Sequence, residues 1–178
     1  SSRLVPRLGE PTMRRRVAAL ITSLWFLAAP GLGGVLVPYL LTGWRVGQVP
    51  WPVRLAGVAL VLLSAVLLAL CFARFVTEGS GTPLPSAPTE TVLVGGPYRY
   101  VRNPMYLAGL GVVLGQALLL GRPVLVLYAG CLALGFAALV HGYEEPLLRR
   151  RYGDAYDAYR RAVPAWWPNH RPWTRKDR

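Results

Sequence analysis

Residues 104–140 read PMYLAGLGVVLGQALLLGRPVLVLYAGCLALGFAALV, and Arg122 is the one charged side chain among them. A helix needs about 20 mainly apolar residues to cross a bilayer. Two runs, Pro104 to Leu120 and Pro123 to Val140, approach that length on either side of Gly121-Arg122-Pro123. Glycine and proline around a single charge mark a turn, so the stretch predicts an antiparallel helical hairpin in lipid. Within it, Gly109 and Gly111-x-x-x-Gly115 predict close helix packing. A dinucleotide-binding reading of Gly109-x-Gly111 fails, because no strand precedes it.

Working outward, Val17 to Leu41 and Pro52 to Val76 are also long and apolar. The first is interrupted by Pro30 and Gly31-Leu32-Gly33-Gly34, so a broken first helix is an alternative to an intact one. A polar loop rich in Gly, Pro, Ser and Thr spans Thr77 to Glu90. The expected fold class is all-α, a polytopic membrane protein with about four transmembrane helices and a cytoplasmic C-terminal amphipathic helix. Composition agrees. Of 178 residues, 53% are hydrophobic and 16% charged, and mean hydropathy is +0.36; soluble domains carry about 25% charged residues. Disorder is excluded by the apolar content. Cys71 and Cys131, each inside an apolar run, give no disulfide framework or zinc spacing.

The net charge is +12, and 19 of the 20 basic residues are Arg. Most flank apolar segments instead of interleaving with aromatics along one element, which argues for a bilayer and against nucleic acid. Arg14 to Arg16, Arg74, Arg99, Arg102 and nine basic residues from Arg149 to Arg178 fall on one side, against Arg45, Arg54 and Arg122 on the other. The expectation is an integral membrane protein of a bacterial inner membrane, with both termini cytoplasmic. Leu4-Val5-Pro6-Arg7 reads as a protease-site scar and Met13 as the natural start, making residues 1–13 a flexible appended tail. Residues 14–94 then hold the first two spans and the middle loop. Residues 95–178 hold the hairpin, 104–140, and the cytoplasmic helix.

Glu144-Glu145-Pro146 is expected to open that cytoplasmic segment, Leu147 to Ala162, with a break at Gly153. Leu148, Tyr152, Tyr156, Tyr159 and Val163 recur at spacings of four or three and share a face. Such a helix is expected to lie on the leaflet with its tyrosines at headgroup level, where it can also roof a site.

Ordinary catalytic sets are missing. His141 and His170 are the only histidines, and neither reads as paired with a cysteine or acidic residue at ligand spacing, so no metal site is expected. Neither a Gly-x-Ser-x-Gly elbow nor a Walker loop occurs. Two polar constellations remain: Gly95 to Tyr106, entering the hairpin, and Glu144-Glu145, leaving it. Each has a plain reading, as interfacial anchors or as a solvated helix start. The hairpin nevertheless puts both at one end, making Asn103 and Glu144 expected neighbours. The result is a cytoplasm-facing pocket lined by Arg, Asn, Tyr and Glu and open sideways to lipid.

Gly-Pro-Tyr-x-x-Val-Arg-Asn-Pro-x-Tyr (96–106), then Glu-Glu-Pro (144–146), then Arg-Tyr-Gly-x-x-Tyr-x-x-Tyr-x-x-x-Val-Pro (151–164) resembles the isoprenylcysteine carboxyl methyltransferase and phospholipid methyltransferase superfamily. The resemblance implies an S-adenosylmethionine-dependent enzyme. It implies cofactor binding by Arg102, Asn103, Tyr106, Glu144 and Glu145, with Tyr98, Tyr156 and Tyr159 closing the pocket. Glu144 is the expected catalytic residue, although either Glu144 or His141 could remove the proton of an amine acceptor, and the expected partners are the bilayer and a lipophilic acceptor carrying an amine or carboxyl group. Many members have His where Asn103 stands, and prenylcysteine methyltransferases have Arg where Val140 stands. Tyr143-Glu144-Glu145-Pro146 is nearer the phospholipid branch. The alternatives are an NADPH-dependent reductase of sterol or isoprenoid double bonds and a non-catalytic membrane scaffold. Glu144 and Glu145 would repel the reductase cofactor's phosphates.

Overall fold

A computed structural model describes residues 30–78 and 94–174. The expected N-terminal tail, Arg14 to Arg16, the first part of the first span, most of the middle loop and the last four residues lie outside the described residues. Every regular element among the described residues is helical. They are α1 (Leu32–Thr42), α2 (Trp51–Glu78), a short 3-10 turn (Gly96–Arg99), α3 (Pro104–Leu120), α4 (Pro123–Leu139), α5 (Glu145–Tyr152) and α6 (Asp154–Ala162).

Proline starts α3 and α4, where the N–H it lacks would have had no helical partner. Gly121 ends α3 in the left-handed region (φ +64°), its N–H returning to the Ala117 carbonyl. Arg122 then leads straight into α4, so the tight hairpin forms as its sequence predicts.

The central helix is α3. Its face of small residues, Ala108, Gly111 and Gly115, is buried. A Cβ on Gly115 would lie 2.7 Å from Val61 Cγ2 and 2.9 Å from the Val61 nitrogen, and one on Gly57 would lie 2.6 Å from the Leu119 nitrogen. Glycine on both helices thus lets α2 and α3 approach almost backbone to backbone, which is how membrane helices gain dispersion contacts without a hydrophobic driving force. On its other side α3 packs Val113, Ala117 and Leu120 against Leu125 and Ala129 of α4. The π-helical turn Leu32–Leu36 offers its carbonyls sideways: Tyr128 Oη donates to Gly33 O (2.9 Å) and Gln116 Nε2 to Gly34 O (2.6 Å).

Two expectations need correction. Glu144-Glu145-Pro146 does not open a new segment. The helix from Pro123 runs to Tyr152, through a π-helical turn at Val140–Glu144, and breaks only at Gly153 (φ +51°). Pro146 is accommodated because that wider turn re-pairs the backbone, with the Glu145 N–H reaching the Val140 carbonyl. Nor do the α6 tyrosines line a headgroup layer. Tyr156, Tyr159 and Val163 are buried against Val94, Leu148, Tyr152 and Trp173. The periodic face exists, but it is covered by protein.

Two described helices, Trp51–Arg74 and Pro123–Tyr152, are long and apolar enough to cross a membrane; α1 and α3 are shorter and apolar.

Candidate functional site

At one end of the hairpin, the approach to α3 and the exit of α4 face each other. The last residues before α3 are fixed by the chain's C-terminal segment, which runs beside them. Arg102 N–H donates to the Pro164 carbonyl (2.9 Å), Asn169 N–H to Tyr100 O (2.8 Å) and Trp173 N–H to Arg99 O (3.0 Å). Arg99 Nε returns a bond to Trp173 O (2.9 Å). This strap and α6 bury Arg102, whose side chain is only 10% exposed.

Arg102 is the hub. One terminal nitrogen donates to Glu145 Oε1 (2.8 Å) and to Tyr156 Oη (3.2 Å). Its Nε is buried and has no hydrogen-bond partner among the described residues, a costly state for a cationic donor unless something else fills the place. Glu145, 5% exposed, also has Oε2 3.4 Å from Arg160 and 3.5 Å from His141 Nδ1. One turn along α3, Tyr106 donates its hydroxyl to Glu144 Oε1. Its ring stacks on Phe136 (centroids 4.6 Å apart) and meets Trp166 at 6.5 Å. Burial pushes the Tyr156 and Tyr159 phenols above their usual range, with Arg102 opposing the shift in both. Each therefore stays a neutral hydroxyl.

Of the residues marked in the sequence, Arg102, Tyr106, Glu144, Glu145 and Tyr156 come together directly. The two motifs meet through Arg102–Glu145 and Tyr106–Glu144; the amide of Asn103 turns to the Ala165 carbonyl (3.2 Å). Tyr159 donates to the Tyr98 carbonyl (2.6 Å), so this pair braces the loop behind the site.

Sequence reasoning missed three participants and, for a fourth, His141, missed its acidic neighbour. Arg160 was indistinguishable from its neighbour Arg161, and Phe136 sits in a uniformly apolar run. Trp166 follows no helical period. His141, read as lacking an acidic partner, in fact lies beside Glu145; the i,i+4 spacing was the available signal.

What this arrangement can do is hold a zwitterionic ligand. It offers one underused guanidinium and two carboxylates beside stacked aromatic rings, at the edge of an apolar helix pair. No curated protein and no solved structure matches the chain. A family model described as phospholipid methyltransferase matches residues 53–155, from the start of α2 through both motifs. The match takes in more than half of the chain and the Arg102–Glu145 and Tyr106–Glu144 contacts, so the protein belongs to the phospholipid methyltransferase family.

Proposed function

We propose that the protein transfers a methyl group from S-adenosylmethionine to a lipophilic acceptor, an amine or carboxyl headgroup on a lipid or isoprenoid, at the cytoplasmic face of a membrane. The observation that carries this reading is the buried Arg102–Glu145 pair, in which the Arg102 Nε finds no partner among the described residues. A cofactor with one carboxylate, one ammonium and a sulfonium matches that donor and acceptor set charge for charge.

When bound, S-adenosylmethionine supplies an electrophilic methyl whose bonding pair to sulfur leaves with the sulfur. The chain's own residues bind, orient and exclude water. In this reading Arg102 takes the ligand's carboxylate and Glu145 its ammonium, while Asn103 suits a ribose hydroxyl. Tyr106 and Phe136 give a flat apolar surface for adenine. Glu144 is the proposed catalytic residue, holding positive charge beside the reacting centre, with Tyr106 fixing its carboxylate. Tyr98, Tyr156 and Tyr159 close the cytoplasmic side with α6. Rate acceleration then comes from alignment in a dry site, worth up to about 7–11 kcal/mol in ideal cases.

The positive-inside distribution of arginine supports four spans, with this end of the hairpin and both termini in the cytoplasm. A reductase would need Arg149 to Arg151 for cofactor phosphates, but Arg149 is engaged by Asp157 (2.9 Å). Calorimetry on the detergent-solubilised protein tests the choice. S-adenosylhomocysteine should bind and NADPH should not; the reverse would favour the reductase, and binding of neither would favour a scaffold.

A further inference from the structure

The methyltransferase reading leaves open how an acceptor loses its proton. A carboxylate needs no base, whereas an ammonium headgroup must be deprotonated before its nitrogen can act as a nucleophile. Glu144 is poorly placed for that task, since Oε1 already accepts the Tyr106 hydroxyl.

His141 stands differently. It belongs to the π-helical turn Val140–Glu144, and its Nδ1 lies 3.5 Å from Glu145 Oε2. A carboxylate beside one ring nitrogen fixes the tautomer with the proton on that nitrogen and leaves Nε2 as the acceptor. The ring meets Trp166 edge to face at 6.5 Å, and the same indole contacts Tyr106, so His141 shares a wall with the Tyr106–Glu144 pair. Its side chain is 53% exposed, so an accepted proton has a route to water. The charged and titratable groups gathered here are Glu144 and Glu145 on its own helix run, Arg102 and Tyr106 at the start of α3, and Arg160 on α6. Two guanidinium groups already answer the charge of Glu145. The ring is therefore not needed as its counter-ion.

We infer that His141, held by Glu145, is the base that deprotonates an amine acceptor in this site. This inference rests on the methyltransferase reading. In the step, one N–H bond of the ammonium breaks and the proton joins His141 Nε2. The electron pair stays on the acceptor nitrogen as the nucleophile, and nothing is oxidised or reduced. Glu145 acts as a positioning residue.

The test uses His141→Asn, which keeps a polar group beside Glu145, and His141→Ala. Both should bind S-adenosylhomocysteine within about twofold of the parent, since His141 does not hold the cofactor. Methyl transfer to a diacyl lipid with a primary-amine headgroup should fall about 100-fold or more at neutral pH. The rate should climb back with rising pH as free amine becomes populated, and added imidazole should restore activity to His141→Ala. A second readout is independent of turnover. In parent protein with labelled histidine and His170→Gln, the single remaining imidazole signal should shift when the amine lipid is added and stay put with its trimethylammonium counterpart. A parental rate and pH profile in both variants, or an imidazole signal indifferent to the amine lipid, would overturn the inference and leave the methyltransferase reading standing. A parent that binds no S-adenosylhomocysteine would remove that reading itself.

Discussion

The two ends of the α3–α4 hairpin are built from the same apolar helices and hold their polar groups in opposite ways. At the Gly121 turn, contacts run to backbone: Gly47 N–H donates to Leu120 O (2.8 Å), and the exposed Arg122 Nε donates to Arg45 O (2.9 Å). At the other end, side chains do the pairing, with the buried Glu145 facing the buried Arg102 and the more exposed Arg160 and His141. Desolvating ions costs several kcal/mol each unless their partners are well placed, so a fold needing only a closed hairpin would keep the first arrangement at both ends. The second is where we propose that ligand chemistry is located.

Removing partners one at a time sharpens the contrast. Arg102→Ala should have the largest effect, since it strands Glu145 in a buried place: about 3–5 kcal/mol, read as thermal or denaturant unfolding in detergent. An unfolding midpoint unchanged from the parent would mean that the ion pair is solvated. Next comes Glu144→Gln, which keeps shape and deletes charge. It should weaken S-adenosylhomocysteine binding by about 1.5–3 kcal/mol, measured by calorimetry, with little change in stability. Tyr156→Phe removes one neutral hydroxyl from Arg102 and should cost about 0.5–1.5 kcal/mol of stability. Arg122→Ala, at the exposed end, should stay within about 0.5 kcal/mol of the parent. If Arg122→Ala cost as much as Arg102→Ala, the two ends would not differ in the way described.

How much of this the sequence carries depends on the kind of contact. The hairpin was legible, because Gly121-Arg122-Pro123 interrupts two long apolar runs and each of those residues has a local job. The α2–α3 approach was half legible: Gly111 and Gly115 signalled it, but Gly57 lies in a run with no matching motif. Glu144-Glu145-Pro146 read as a helix start because acidic residues and proline suit a first turn; that a π-helical turn absorbs Pro146 instead depends on backbone pairing that three-dimensional context supplies. Periodicity found the face of Tyr156 and Tyr159, yet a stripe of tyrosines looks the same whether protein or lipid covers it. The strap was illegible. Residues 164–173 follow no helical or strand period, and they are placed by bonds to residues more than 60 positions away. Within the site, Arg102, Tyr106, Glu144 and Glu145 were found through motif order, whereas Arg160, Phe136 and Trp166 enter only because the fold delivers them.

The claim at the centre of the account is that the buried charged end serves methyl transfer to something that resides in the bilayer. Its most direct test is incubation of the protein with methyl-labelled S-adenosylmethionine and total membrane lipid, followed by separation of the lipid from the aqueous fraction. The account predicts label in the lipid fraction, with Glu144→Gln sharply reducing it and Arg122→Ala leaving it at the parental level. Label confined to water-soluble products, or lipid labelling unaffected by Glu144→Gln, would contradict it.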